Sequence, residues 1–186
     1  MEKVEADTCF DLFCGEGTFL DALYADRFSQ VVAVDKRHAA LEELPDADHV
    51  AVYQGDCIRL IPALVRKFGL PDYVDLDAWG SPDTALVALL RSCRKLQRIA
   101  IVATDGVWCS LNRSGPANHL PACWGYSKTW RAPQSAGIAD YPTILYRHLE
   151  DWAARRQLAV TDFDCYRGQG HNVFYWGALL ERIQAP

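Results

Sequence analysis

Apolar residues along this chain occur in short runs, and stretches in which they recur at helical spacing separate one run from the next. The runs predict strands at residues 8–13, 31–34, 50–53, 73–76 and 99–103. The helical stretches lie at residues 18–27, 38–44 and 58–68 and from residue 81 onward. This alternation is the βαβ rhythm of a parallel sheet that has helices on its faces.

The C-terminal part of the chain departs from this alternation. A helix is predicted to begin at Pro142, because proline suits the first turn of a helix. Two strands are predicted at residues 158–166 and 172–181, and only residues 167–171 connect them, which favours an antiparallel hairpin. The whole pattern predicts an α/β fold in a single domain over residues 1–186. Its Rossmann-like sheet of seven strands is mostly parallel, with a C-terminal antiparallel hairpin.

Composition supports a single domain and indicates the cellular compartment of the protein. Half of the 186 residues are hydrophobic, which is enough to bury a globular core. The first seven residues are polar and acidic, and no apolar run approaches the roughly 18 residues of a membrane span. We therefore expect a cytoplasmic protein with no membrane attachment. The seven cysteines include no Cys-x-x-Cys pair, so we expect buried thiols rather than disulfides, and no metal site.

The first predicted strand ends in a turn that contains Gly15 and Gly17, and a helical pattern starts directly after it. Glycine has no Cβ, so the backbone of such a turn can approach a ligand closely and offer it N–H groups. Asp35 ends the second strand, 18 residues beyond Gly17, and Asp56 follows the third strand. In nucleotide-binding βαβ folds, an acid at the position of Asp35 binds ribose hydroxyls. The sequence therefore predicts a nucleotide-type cofactor.

Residues 11–17, Asp-Leu-Phe-Cys-Gly-Glu-Gly, resemble motif I of the class I S-adenosylmethionine-dependent methyltransferases. Leu20 stands where the dinucleotide fingerprint has its third glycine, which disfavours a nicotinamide or flavin cofactor. The resemblance implies S-adenosyl-L-methionine as the cofactor, with Asp35 on its ribose and Asp56 on its adenine amino group. The further cofactor contacts that the resemblance implies are Asp11, Phe13, Gly15, Gly17, Thr18, Lys36, Cys57 and Asp75.

The fourth predicted strand carries the acids that we assign to the reaction. Asp75 and Asp77 are two residues apart, so their side chains point to the same face of a strand. Methyl transfer to an exocyclic amine requires that the amine nitrogen be presented in line with the methyl carbon. A carboxylate can do this by accepting hydrogen bonds from the amine, and we assign this role to Asp77. Trp79 can stack on the base, and Asp75 completes the predicted catalytic set.

Residues 75–82, Asp-Leu-Asp-Ala-Trp-Gly-Ser-Pro, resemble the Asp-Leu-Asp-Pro-Phe-Gly-Ser-Pro motif of the tRNA guanine N2,N2-dimethyltransferases. Ala78 and Trp79 replace the proline and the phenylalanine of that motif. Residues 103–105 resemble the Thr-Asp step at the end of that family's fifth strand. The resemblance implies tRNA modification, with acceptor contacts at Gly80, Ser81 and Asp105.

The segment after the fifth strand differs in charge from the rest of the chain. Residues 106–139 contain three basic residues and no acid, whereas the rest contains 16 basic and 24 acidic residues. Three tryptophans and a tyrosine are interleaved with these cations. Rings that stack on bases, beside cations, are typical of sites that hold single-stranded or extruded bases. We expect a target-recognition lid, with acceptor contacts at Trp108, Trp124, Lys128, Trp130, Arg131 and, on the hairpin, His171.

These features predict a methyltransferase that modifies an exocyclic base nitrogen of RNA or DNA. Guanine N2 is the first candidate atom and adenine N6 the second. A small-molecule or protein methyltransferase is an alternative, because the formal net charge of −5 does not favour a polyanionic partner. A second alternative is a partner subunit that binds S-adenosylmethionine without catalysis. A protein partner or a homo-oligomer is compatible with each of these functions.

Overall fold

The computed structural model describes residues 7–37, 47–78, 80–93, 95–106, 141–168 and 173–183, whose strands form one seven-stranded sheet. The strands are β1 Thr8–Asp11, β2 Gln30–Asp35, β3 Val50–Gln54, β4 Tyr73–Asp77, β5 Arg98–Asp105, β6 Leu158–Arg167 and β7 Phe174–Arg182. Their order across the sheet is β3-β2-β1-β4-β5-β7-β6. Strands β1 to β5 pair in parallel, whereas β7 is antiparallel to both β5 and β6. The predicted fold class is confirmed.

Three α-helices of the described residues pack on one face of the sheet. They are α1 Cys57–Phe68, α2 Asp83–Ser92 and α3 Tyr141–Ala154. Their apolar faces and the strand residues beneath them form the main core, which includes Phe10, Leu76, Leu89, Ile101 and Leu149. Each apolar side chain of this size stabilises the fold by about 1.5–3 kcal/mol when it is buried. Among the described residues, the larger of the two cores therefore lies on this face.

A smaller core lies on the opposite face of the sheet, over β1 and β2. A π-helical turn, Leu20–Tyr24, contributes Leu20 and Tyr24 to this core, and the strands contribute Cys9 and Ala33. Side chains alternate between the two faces along a strand, so neighbouring residues of β1 enter different cores. The first βα unit is therefore fixed to the sheet by a core of its own.

The first strand and the helix after it differ from their predictions. β1 ends at Asp11 rather than at residue 13, because the glycine-containing turn begins there. The helix predicted over residues 18–27 contains the π-helical turn instead, since Ala25 N donates a hydrogen bond to Leu20 O, five residues back (2.9 Å). The helix predicted over residues 38–44 lies outside the described residues.

The C-terminal hairpin is present as predicted, with a register shift in β6 between Val160 and Asp162. No helix in the described part of the chain is long and apolar enough to cross a membrane. The cysteines that the structure describes are all free thiols, and all but Cys165 are buried.

Candidate cofactor cleft and active site

The carboxyl ends of β1, β2 and β4 border a cleft of about 810 Å³. Parallel strands place their carboxyl ends at one edge of the sheet, so residues far apart in sequence meet there. Eight residues with a predicted site role line this cleft: Asp11, Phe13, Gly15, Thr18, Asp35, Lys36, Cys57 and Asp77. The structure therefore brings most of the predicted cofactor residues together with the acid assigned to the reaction.

The glycine-containing turn is pinned to β2. Gly15 N donates a hydrogen bond to Asp35 Oδ2 (3.1 Å), and Gly17 N donates one to Cys14 O (2.8 Å). Gly15 and Gly17 have φ angles of +53° and +79°, a conformation that residues with a Cβ rarely adopt. The two glycines are thus required by the backbone of the turn, and Gly15 lies directly at the cleft.

Asp35 lies at the end of β2 with its carboxylate held from two sides. In addition to the bond from Gly15, Arg37 N donates to Asp35 Oδ1 (2.8 Å), and Arg37 Nε lies 3.5 Å from the same oxygen. A carboxylate has about four acceptor positions. These contacts orient Asp35 in the cleft lining and leave it capacity to accept hydrogen bonds from ligand hydroxyls.

Asp56 is the N-cap residue of α1. Its Oδ1 accepts a hydrogen bond from Ile58 N (3.1 Å), and its Oδ2 lies 3.5 Å from Lys36 Nζ. An N-cap of this kind stabilises a helix by about 1 kcal/mol. Asp56 is absent from the described cleft lining, whereas its neighbours Gly55 and Cys57 belong to it. The cap therefore fixes Asp56 beside the cleft rather than within it.

Three carboxyl groups lie side by side where β1 and β4 end at the cleft. Asp11 and Asp75 are register partners on β1 and β4, and Asp77 follows on the same face of β4. Burial, followed by the charge of Asp75, raises the pKa of Asp11 well above its usual value. Burial likewise raises the pKa of Asp75 to about 6, although the hydroxyl of Tyr24 donates a hydrogen bond to Asp75 Oδ2 and opposes this shift. Asp11 and Asp75 therefore ionise less readily than isolated carboxyl groups.

A second cavity, of about 410 Å³, adjoins the first. Phe19 and Asp77 line both cavities, so Asp77 is accessible from each of them. The second cavity reaches β6 and β7, where the rings of Tyr166 and Tyr175 stack with centroids 5.4 Å apart and planes 24° apart. Asp164 adds another carboxylate to its lining. We call this second cavity the tyrosine groove.

Sequence reasoning missed several of these residues. Phe19 could have been found, since an aromatic residue directly after Gly15-x-Gly17-Thr18 lies at the mouth of the cofactor turn. The contact of Tyr24 with Asp75 joins residues 51 positions apart, and no local pattern indicates it. The stack of Tyr166 on Tyr175 depends on the register of the hairpin.

Other predicted site residues lie outside the described lining of the cofactor cleft. Gly17 belongs to the turn behind Gly15, and Asp75 lines only the tyrosine groove. Gly80 and Ser81 lie in the loop before α2, and Asp105 is 1% exposed with its carboxylate bonded to the hydroxyl of Tyr141. Seven predicted residues lie outside the described part of the chain: Trp79, Trp108, Trp124, Lys128, Trp130, Arg131 and His171.

No protein-family model matches this chain. Among curated proteins, the tRNA (guanine(26)-N(2))-dimethyltransferase of Thermococcus kodakarensis is 41% identical over 66 residues, which are 35% of this chain and 17% of that protein. Trm1 from Pyrococcus horikoshii, solved with S-adenosyl-L-methionine, aligns with 95% of this chain at 19% identity and a TM-score of 0.67. TYW2 from M. jannaschii, solved in complex with AdoMet, aligns with 96% of this chain at 17% identity and a TM-score of 0.55.

The chain spans only part of these proteins. It covers 51% of the Trm1 chain and 70% of the TYW2 chain, and its match to the curated protein is shorter still. At such identities the likeness to the solved structures establishes the fold, which nearly the whole of this chain shares with them.

Proposed function

We propose that this chain, which has the fold of the class I S-adenosylmethionine-dependent methyltransferases, is itself a methyltransferase that acts on an exocyclic base nitrogen of RNA or DNA. One observation carries the proposal: Asp77, the acid assigned to the acceptor, lines the same cleft as the glycine turn and Asp35. A donor and an acceptor that occupied the two adjoining cavities would meet at this carboxylate.

The cleft suits a cofactor of nucleoside size. Its volume of about 810 Å³ falls in the range of about 300–1,000 Å³ that is usual for small-molecule sites. We assign Asp35 to the ribose hydroxyls, because its carboxylate is oriented by two backbone N–H groups. The turn at Gly15 lets the backbone approach the ligand, and Phe13, Thr18 and Cys57 line the remaining walls.

In the proposed reaction, bound S-adenosylmethionine supplies a methyl group activated by its attachment to a sulfonium. Asp77 accepts hydrogen bonds from the acceptor amine, which turns the nitrogen lone pair toward the methyl carbon. Transfer would form a nitrogen–carbon bond in place of the methyl–sulfur bond of the donor, and the nitrogen would give up one proton. The Asp77 carboxylate stabilises the positive charge that develops on the nitrogen and can take up this proton.

The choice of a nucleic-acid acceptor rests on two observations. The curated protein with the 66-residue match is a tRNA guanine N2-dimethyltransferase, and Trm1 shares the fold. The sequence motif at residues 75–82 points to the same chemistry. Guanine N2 is therefore the first acceptor atom to test, and adenine N6 is the second.

A second candidate function is methylation of an amine on a small molecule or a protein, which would bind as its ammonium ion and give up a proton to a carboxylate before the transfer. The tyrosine groove favours it, because the described lining residues include Asp75, Asp77 and Asp164 but no lysine, arginine or histidine. Such a surface attracts ammonium groups and repels phosphates. Aromatic rings also bind cations through their faces, and two stacked tyrosines are present here.

The deciding experiment incubates the protein with S-adenosylmethionine labelled in its methyl group and with separate pools of tRNA, duplex DNA, single-stranded DNA, polyamines and lysine-rich peptides. Labelled polymers are then digested to nucleosides or amino acids. A labelled guanosine or adenosine supports the proposed function, and a labelled amine or peptide supports the second candidate. Binding of S-adenosylhomocysteine without transfer to any pool contradicts both, and supports a non-catalytic subunit.

Cofactor binding gives the first testable prediction. Asp35→Ala should weaken the binding of S-adenosylhomocysteine by about ten- to a hundredfold, since hydrogen bonds to a charged group typically contribute about 1.5–3 kcal/mol. Calorimetry measures the two dissociation constants. Asp48→Ala is the matched control, because Asp48 is exposed and precedes β3, at the opposite end of the strands from the cleft. No binding to the wild type would exclude the cofactor assignment.

A further inference from the structure

We infer that Gly106 is a positioning residue of the active site, which clamps the loop that follows Asp77. This inference rests on the proposed function, because it assigns Gly106 a role in placing Asp77. Gly106 directly follows β5 and does not belong to the described lining of either cavity. It acts on the reaction only through the loop between β4 and α2.

The loop is short and is fixed at both ends. At its start, Ala78 N donates a hydrogen bond to Leu76 O (2.8 Å), which turns the chain directly after Asp77. At its end, Asp83 N donates to Ser81 Oγ (3.2 Å), and the Ser81 hydroxyl donates to the Asp83 carboxylate. The turn at the end of β4 therefore depends on where Ala78 and residues 80–82 are held.

The middle of the loop is held by Gly106. Gly106 N donates a hydrogen bond to Gly80 O, and the two atoms are 2.7 Å apart. A Cβ at position 106 would lie 3.2 Å from both Cα and O of Gly80, which is closer than ordinary van der Waals contact. The obstacle is space rather than backbone conformation, because the φ angle of Gly106 lies outside the positive region. A residue with a Cβ at position 106 would therefore have to displace the Gly80 backbone by a few tenths of an ångström.

Gly106 is itself anchored by its neighbour Asp105. The hydroxyl of Tyr141, at the start of α3, donates a hydrogen bond to Asp105 Oδ2, and both side chains are almost fully buried. The Tyr141 ring packs on Phe174, which is the register partner of Asp105 on β7. Tyr141 of α3 thus holds Asp105, and the next residue, Gly106, holds Gly80 of the loop. These contacts give Asp105 a supporting role in the clamp.

The decisive variant is Gly106→Ala. The atoms facing the added methyl group are backbone atoms of Gly80, so the loop must move by a few tenths of an ångström. Active-site geometry tolerates displacements of only about 0.5 Å, and we therefore expect kcat for methyl transfer to fall about tenfold. The dissociation constant of S-adenosylhomocysteine should not change, because the glycine turn and Asp35 lie on β1 and β2.

Gly69→Ala is the matched control. Gly69 caps the C-terminus of α1 with a φ of +89°, so alanine there is strained and lowers the stability of the fold. No atom lies within 4 Å of the position that a Cβ would take at residue 69, and the variant leaves the loop after β4 untouched. Its kcat should equal that of the wild type. An unchanged kcat in Gly106→Ala, or an equal fall of kcat in Gly69→Ala, overturns the inference.

Amide hydrogen exchange tests the clamp without catalysis. In the wild type, Gly106 N–H should exchange as slowly as the amides in the middle of β5, and Tyr141→Phe should accelerate it by removing the donor to Asp105. Rapid exchange in the wild type overturns the clamp. This measurement decides the matter if Gly106→Ala does not fold. Hydrogen exchange also tests the clamp if the wild type methylates no acceptor. That result would contradict the proposed function but not the clamp.

Discussion

Asp77 is the residue on which the proposed chemistry depends most directly, because it lines both cavities. Its neighbour Asp75 lies deeper, bonded to the hydroxyl of Tyr24. The two acids share one face of β4, but Asp77 lines both cavities whereas Asp75 lines only the tyrosine groove, and we propose different roles for them on this basis. Asp77 can touch an acceptor amine, whereas Asp75 sets the electrostatic environment beneath it.

Asp77→Ala should reduce methyl transfer by about a hundredfold or more, because the variant loses both the orientation of the amine and the acceptor for its proton. The affinity for S-adenosylhomocysteine should be little changed. Single-turnover kinetics and calorimetry measure the two effects separately. A near-normal rate in Asp77→Ala would show that the assignment is wrong and would make Asp75 the next candidate.

Asp75→Asn should stabilise the fold at neutral pH. The pKa of Asp75 is about 6 in the folded protein and near 3.9 in an unfolded chain, so its ionisation increasingly opposes folding as the pH rises between these values. Asparagine removes this cost and can still accept the hydrogen bond from Tyr24. We expect a gain of about 1–3 kcal/mol in the free energy of unfolding at about pH 7.5, and almost none at about pH 4.

Denaturant titrations of the wild type and Asp75→Asn at both pH values check this expectation. Asp75→Asn also removes the charge that helps to raise the pKa of Asp11, and this acts in the same direction, since it eases the ionisation of Asp11 in the folded protein. A gain that is equal at the two pH values would show that burial of the Asp75 charge is not its cause.

At the scale of elements, the strands matched the prediction better than the helix after β1 did. Residues 18–27 have a helical pattern, yet the structure contains a π-helical turn at Leu20–Tyr24. The wider turn carries Tyr24 to Asp75, a contact between segments 51 residues apart. Its geometry satisfies a tertiary contact that the local sequence does not encode, and π-helical turns occur frequently at functional sites.

The basic residues of the segment at residues 106–139 predict a nucleic-acid acceptor. If these cations meet phosphates, Lys128→Ala combined with Arg131→Ala should raise the KM for a nucleic-acid acceptor. It should also lower the salt dependence of binding, because fewer counterions are released. Steady-state kinetics at two salt concentrations measure both quantities.

The control for this double variant is Arg66→Ala combined with Lys95→Ala, which removes the same charge from exposed positions near the end of α1 and before β5. A KM and salt dependence that change equally in both double variants would indicate a general effect of charge. Unchanged values in the Lys128 and Arg131 variant would favour the amine acceptor that the tyrosine groove suggests.

At the scale of the whole molecule, the parallel sheet brings the chemistry together. The carboxyl ends of β1, β2 and β4 meet at one edge, so Asp11, Asp35 and Asp77 share a cleft although the chain separates them widely. The fold is that of solved proteins bound to S-adenosylmethionine, and this chain covers about half of one and 70% of the other. The sheet and its cleft are therefore contained within this chain.

The sequence by itself determined the fold class and located the glycine turn and Asp35, which border the cleft. Strand periodicity and βαβ alternation are local patterns, and Gly15, Gly17 and Asp35 belong to a turn and a strand end that such patterns locate. The turn leaves this signal in the sequence because its backbone needs positive φ angles at two positions, and glycine adopts such angles most readily.

Only the tertiary structure decided the strand order, in which β7 lies between β5 and β6, and the environment of the acids. The pKa of Asp75 follows from burial and from Tyr24, and the role of Gly106 follows from its approach to Gly80. The hydrogen bond that Asp105 accepts from Tyr141 is likewise a tertiary contact, and its predicted contact with the acceptor stays a prediction. Each of these properties depends on segments that are distant in sequence, and contacts of that kind leave no periodic signal in the chain.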